Sequence, residues 1–407
     1  MRLPLLLLPF LLTSCIEEYE IPDALVSGAE RPLYIDGHII SGGNSTFFVA
    51  QATEIGGYKT PVKGAEIIIE SDTGFRSDAA EQLPTSEYVV TTGVLNDAHR
   101  YRVVVKVGDE TYASRWQTLQ PAVDIDEVGY TEYADRYLGP DCHLEVWVSA
   151  SAPDDAPRHY LYTYEENWEI EANDLRDGEI LISRVSSTPI PIYYDPEAYP
   201  LLTDDSNPYV YCWVKRYSTD INLYSTAELS SNSVVRHTVR SINPDDERIS
   251  RLYAIDVFQS TISDEAYDYY RLMERLTEDT GTLFAPTPQR LRGNVECVSH
   301  PQRVVYGYVN ASSTSTKRLF IDPVSLQIVP HNYVGWTYAT RNFNTTSLDQ
   351  WIGNCLGAMR DGHVVATITD WPDRASDFIY LLSPTCYSCF ARGGTKDKPA
   401  WWPNDHE

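Results

Sequence analysis

Alternation of apolar and polar residues with a period of two constrains this chain more than any other feature. In Ala65-Glu66-Ile67-Ile68-Ile69-Glu70, Ala65, Ile67 and Ile69 fall on one face and Glu66 and Glu70 on the other. Side chains of a strand point alternately to its two faces, so the pattern fits a half-buried strand. Residues 101–107 alternate in the same way, and Gly108-Asp109-Glu110 turns the chain into a further strand at 111–116. Residues 33–40 and 46–50 flank the turn Gly42-Gly43-Asn44. Short strands separated by regular turns predict an antiparallel β-sandwich, Ig-like or prealbumin-like, over residues 32–120.

Pro121 marks the next boundary. Strands are expected at 125–130, 142–150, 160–167, 179–185, 209–217, 233–239 and 252–260, with a long Pro-, Asp- and Tyr-rich loop at 195–208. One helix stands out near 263–280. Ser263 is a suitable N-cap, Asp264 and Glu265 occupy the first turn where the helix dipole favours acid, and Ala266, Tyr267, Tyr270, Met273 and Leu276 make an apolar stripe. Further strands are expected at 303–309, 317–321, 364–369 and 378–382. The fold class is therefore mostly β: a sandwich domain followed by a larger β-rich domain, 121–407, with one clear α-helix.

The N-terminus reads as an export signal. One cation, Arg2, precedes a largely apolar run that closes on Leu12-Thr13-Ser14-Cys15. The run is too short for a membrane span, which needs about 20 apolar residues. It fits a lipoprotein signal peptide, residues 1–14, with acylation at Cys15 and a polar tether over 15–31. Two or more acyl chains anchor a protein stably while its fold stays in water. Fifty-eight acidic residues against 32 basic ones give a net charge of −26. That balance repels phosphate backbones and argues against a nucleic-acid partner.

Six cysteines besides Cys15 remain: Cys142, Cys212, Cys297, Cys355, Cys386 and Cys389. An even count in an exported chain makes all six candidates for disulfides, with connectivity open. Cys142 and Cys212 alternate in phase with apolar neighbours and face a core, either as small fillers or as halves of a bridge. Cys386-Tyr387-Ser388-Cys389 lacks the βαβ context of a redox motif and is read as structural. No His pair or second C-x-x-C at zinc spacing appears, so no metal and no cofactor are assigned.

No nucleophile elbow, phosphate loop or dinucleotide fingerprint is present, and no catalytic residue is assigned. The adjacent acids Asp154-Asp155, Asp204-Asp205 and Asp245-Asp246 are most simply solvated turns. Aromatic side chains are the better signal. Tyr193, Tyr194, Tyr199, Tyr209, Tyr211 and Trp213 crowd around the Pro-rich loop. Such rings stack on sugars or pack on a protein partner, and they equally fill a core.

Several short motifs occur in a fixed order: Arg31-Pro32-Leu33-Tyr34-Ile35-Asp36-Gly37, Pro61-Val62-Lys63-Gly64-Ala65, Cys212-Trp213, Ser263-Asp264-Glu265-Ala266-Tyr267, Gly293-Asn294-Val295, Val305-Tyr306-Gly307-Tyr308-Val309-Asn310, and the closing Cys386-x-x-Cys389-x-x-Arg392-Gly393-Gly394-Thr395. Together they resemble the Bacteroidota lipoproteins grouped as domain-of-unknown-function family 4249. The resemblance spans nearly the whole chain after Cys15. It implies an outer-membrane lipoprotein, often encoded near a TonB-dependent transporter, with Glu17 and Glu18 resembling a surface-export signal. It implies no catalytic residues. The expected function is thus a cell-surface, non-enzymatic lipoprotein with a binding or accessory role beside a nutrient transporter. Its partners would be the membrane, through the acyl chains, the transporter, and a glycan or peptide ligand. The alternatives are a glycan hydrolase using paired carboxylates and a purely structural envelope protein.

Overall fold

The computed structural model describes residues 32–51, 60–83, 87–133, 142–171, 211–244, 246–278, 293–327, 364–369, 378–382 and 389–403. The architecture is mostly β, with several antiparallel sheets and one α-helix among the described residues. The chain divides into two compact units. One holds residues up to 118 together with 288–311, and the other holds 119–287 and 312–407.

The first unit has two sheets. In one, Val305–Tyr306, Leu33–Ile40, Asn44–Gln51, Glu87–Thr91 and Glu81–Gln82 lie side by side. In the other the order is Val295–Cys297, Glu110–Ser114, Arg100–Val107 and Glu66–Ser71. The alternation read from the sequence holds: Ile35, Phe47, Val49, Ile67, Ile69, Val103 and Val105 are completely buried. Each such side chain contributes about 1.5–3 kcal/mol on leaving water. Tyr88, from the first sheet, donates its hydroxyl to Val62 O (2.9 Å) and accepts from Ala65 N–H (3.0 Å) at the entry to the second. The organisation is sandwich-like.

Residues 293–311 complete this unit from far along the chain. Val305–Tyr306 pairs in parallel with Leu33 and Tyr34, while Val295–Cys297 pairs antiparallel with Tyr112 to Ser114. Two motif residues explain how the return is fixed. Asn294 is fully buried; its Nδ2 donates to Val309 O and its Oδ1 accepts from Val309 N–H, both at 2.8 Å. Gly307 has φ +107°, and a Cβ there would stand 1.9 Å from Ile35 O. Only glycine allows so close a backbone approach.

The second unit is also built of two principal sheets. Ile125–Tyr133, His143–Ser151 and Ser233–Ile242 form the first; Tyr211–Tyr217, His159–Glu171, Tyr253–Thr261 and Thr314–Ile321 form the second, in those orders. They share one core, in which Leu144, Val146 and Val148 meet Tyr162, Ile170, Ile255 and Val257. A separate hairpin pairs Val364–Thr369 with Phe378–Leu382. The helix runs Asp264–Glu278, with Ser263 Oγ accepting from Ala266 N–H at 3.2 Å. Its buried side is Ala266, Tyr269 and Tyr270, whereas Tyr267 is half-buried and stacks on His159 with ring centroids 4.2 Å apart. No described helix is long and apolar enough to cross a membrane.

The segments 1–31 and 172–210 lie outside the described residues, and with them Cys15, the tether, the 179–185 strand, the 195–208 loop, Asp204-Asp205 and Tyr193, Tyr194, Tyr199 and Tyr209. So do Cys355, Cys386 and Asp245.

Candidate functional site

The long strand His159–Glu171 organises the second unit because its two faces carry different chemistry. Tyr160, Tyr162, Tyr164, Glu166, Trp168 and Ile170 alternate along the core side, and Glu165, Asn167, Glu169 and Glu171 along the other. Cross-strand pairing sets Trp213 opposite Glu169 and Tyr211 opposite Glu171. Opposed residues in an antiparallel pair share a face. Tyr211 and Trp213, both predicted to contact a ligand, therefore join two carboxylates on the outer face of the sheet.

The C-terminal segment crosses this face. Cys389 is disulfide-bonded to Cys212, with 5.6 Å between their Cα atoms. Both sulfurs belong to the core of the second unit. Arg392 donates to Glu171 O (3.2 Å) and to Glu247 Oε1 (2.8 Å). A Cβ on Gly394 would meet Cys212 Cβ at 2.5 Å, so the chain passes the bridge only as glycine. Thr395 exchanges backbone hydrogen bonds with Trp213, at 2.8 and 2.9 Å. Lys398 Nζ stands 5.8 Å from the centroid of the Trp213 ring. Beyond it, Trp401 lies over the Arg318 guanidinium at 3.3 Å, Arg318 holds Asp256 through two 2.7 Å hydrogen bonds, and Trp402 is buried. The closing Cys-x-x-Arg-Gly-Gly-Thr motif is thus the attachment of a strap.

Beside the strap is an electrostatically unusual pair of acids. Both oxygens of Glu171 are engaged: Tyr211 O–H donates to its Oε1 at 3.0 Å, and Arg251 Nε donates to its Oε2 at 2.7 Å. The Arg251 guanidinium also lies over the Tyr211 ring, 5.1 Å from its centroid. Glu169 is only 2% exposed, and burial pushes its carboxyl up to about 7. Arg251 and Lys398 oppose that rise, and the Glu171 charge adds to it. Desolvation dominates because removing a carboxylate from water costs more than these two cations restore. Near neutral pH Glu169 is therefore divided between a proton donor and a charged acceptor. Displaced titration of this kind is typical of functional sites, and it also arises where structure alone buries an acid.

The core face carries a second ionic group. Glu166 is 2% exposed and accepts from Arg240 Nε (3.0 Å), Arg248 Nε (3.2 Å) and Tyr253 O–H (2.9 Å). Arg248 continues to Asp246 through two 3.0 Å hydrogen bonds and lies over the Trp168 ring at 4.6 Å. Every charge is paired, which is the condition for tolerating ions in a core.

A family model described as a domain of unknown function, DUF4249, matches residues 16–318. The chain belongs to this family. The DUF4249 match covers well over half the chain and spans the first unit, the helix and both faces of the His159–Glu171 strand; the strap, beginning at Cys389, lies beyond it. No curated protein matches the chain. Of the remaining predicted site residues, Cys142 is buried, and Cys297 carries a free buried thiol in place of the disulfide considered for it. Asp154 is exposed and pairs with Arg158 at 3.1 Å, the behaviour of a turn residue. Glu166 and Glu169 were not singled out by sequence, because an acid in a strand reads as solvent-facing until its neighbours are known.

Proposed function

We propose that this DUF4249 protein is a lipid-anchored, surface-facing outer-membrane protein of the Bacteroidota type, with a non-enzymatic binding or accessory role beside a TonB-dependent transporter. The observation that carries the reading is the N-terminal series of one cation, an apolar run, Leu12-Thr13-Ser14-Cys15 and then Glu17-Glu18. Family membership supports it. The outer face around Tyr211, Trp213 and the strap is the candidate contact surface: its rings sit beside cations, a combination suited to carbohydrate or peptide groups. Two measurements test the proposal. Cys15→Ala should abolish palmitate labelling and release the protein from the membrane fraction; labelling at the parental level would refute the anchor. Affinity purification of the native protein from detergent-solubilised membranes should recover a transporter in stoichiometric amount, and recovery of the lipoprotein alone would refute the accessory role.

One observation favours a second reading as a glycan hydrolase. Glu169, its carboxyl pushed up to about 7 by burial, and Glu171, bound by Arg251, sit two residues apart on one strand face. Turnover of a glycan panel that is lost in Glu169→Gln would establish it, and no turnover would dismiss it.

A further inference from the structure

In the first unit, the start of the strand Glu110–Ser114 and the turn after Val295–Cys297 bring together three residues far apart in sequence. Glu110, Cys297 and His300 each offer a ligand atom, and these atoms all lie within 4.8 Å of one another. Cys297 stands opposite Tyr112 in the strand pairing. The turn that follows is fastened to the same strand: Val298 N–H and Ser299 N–H donate to Thr111 O at 2.8 and 3.3 Å, and Thr111 N–H donates to Ser299 Oγ at 3.1 Å. Arg303 N–H closes the turn on His300 O at 2.9 Å. The backbone that positions the three side chains is therefore fixed on both sides.

The two oxygens of Glu110 have different surroundings. Oε2 accepts from Tyr112 O–H and from Arg303 Nη1, both at 2.6 Å. Oε1 is buried and accepts no hydrogen bond, although His300 Nδ1 lies 3.3 Å away. A buried carboxylate oxygen left without a hydrogen-bond donor is costly, so such atoms call for an explanation. Cys297 is buried and free of any disulfide, and among the described residues its Sγ meets Ser299 Oγ at 3.5 Å. His300 has a 59% exposed side chain, which leaves one side of the cluster open to water.

We infer that Glu110 Oε1, Cys297 Sγ and His300 Nδ1 form a binding site for a zinc-type divalent cation. A thiolate, an imidazole and a carboxylate form a mixed donor set that suits zinc better than the all-oxygen preference of calcium or magnesium. Ligand atoms of a tetrahedral zinc ion stand about 3.3–3.8 Å apart, so the cluster closes onto the ion with side-chain shifts on the order of 1 Å. Three protein ligands leave a fourth position, toward the exposed side of His300, for water or a ligand atom. On binding, the Cys297 thiol releases its proton to solvent and the sulfur–metal bond replaces the S–H bond. The neutral imidazole donates its Nδ1 lone pair, and no electron is transferred. Tyr112 and Arg303 hold Oε2 and thereby aim Oε1 at the ion, the role of outer-shell partners. The spacing Cys297-x-x-His300 alone did not mark a metal site in the sequence. The third ligand comes from nearly two hundred residues earlier, through strand pairing.

Cobalt(II) is the probe. Full-length protein stripped with a chelator should bind about one equivalent of Co²⁺ and develop a thiolate-to-cobalt charge-transfer band, which Zn²⁺ then bleaches. Cys297→Ser should abolish the band. His300→Ala, at an exposed position, should keep the parental circular dichroism and weaken Co²⁺ binding by more than about tenfold, and Tyr112→Phe should weaken it about tenfold. Absence of a band in the parent, a band that survives Cys297→Ser, or equal affinity in a folded His300→Ala would each overturn the site.

Discussion

The carboxyl of Glu169 lies 3.9 Å from the Arg251 guanidinium, yet burial, not the ion pair, decides its titration. Arg251 is committed to Glu171, where it forms the closer hydrogen bonds. Glu169 thus keeps its proton up to about 7, against an ordinary 4.5. Between those values the native state binds more protons than the unfolded chain, so this group's contribution to stability is full below about 4.5 and is lost as pH rises through about 7. Glu169→Gln should remove that slope and raise stability at pH 8 by on the order of 2 kcal/mol. Thermal unfolding midpoints of parent and variant from pH 4 to pH 9 check it; parallel curves would contradict the assignment.

Cutting the strap from the sheet should be costly. Cys389→Ala and Cys212→Ala remove the only described disulfide, which closes a separation of 177 residues. Each is expected to lose about 2–5 kcal/mol in denaturant unfolding, and the double variant no more than either single one. The difference in tryptophan emission between each variant and the same variant carrying Trp213→Phe should report the loosened strap before global unfolding.

Glu166 tests the core ion group. Glu166→Ala takes this acceptor from Arg240 and Tyr253 and leaves Arg248 to Asp246, and should cost about 3–5 kcal/mol. Lys106→Ala breaks a pair in which both side chains are about half exposed, and should change stability by less than about 1 kcal/mol. Equal losses in the two variants would contradict the burial argument.

Asn294→Ala removes both hydrogen bonds to Val309 and should destabilise the first unit by about 2–4 kcal/mol. Hydrogen exchange should show the loss first at Val305–Tyr306 and Val309–Ser312, because these segments lie beside Leu33–Ile40 through that anchor. Protection lost first in the second unit would show that the anchor acts elsewhere.

Strands with strict alternation were legible in the sequence. Leu33–Ile40, Arg100–Val107 and Tyr253–Thr261 stand within a residue or so of where the pattern puts them, and Ser263 caps the helix as read. Glu87–Thr91 was missed, because one short apolar patch next to polar residues carries little periodicity. Cys212 was legible as core-facing, but its partner was not, since a disulfide is a relation in space. The same limit hid the acids: Glu169 is an ordinary alternating strand residue until the tail is seen lying across its face. Gly307 and Asn294 were visible as members of ordered motifs, while their purpose, a close crossing of two distant segments, came only from the fold.

That crossing has a consequence for how the molecule is made. A chain leaving the ribosome presents residues up to 118 long before residue 293 arrives. Until then Leu33–Ile40 and Glu110–Ser114 each offer an unsatisfied backbone edge to solvent and to other nascent chains. The first-made unit thus waits for residues 293–311 before it can close, and a chaperone that guards those edges during synthesis should raise the yield of folded protein.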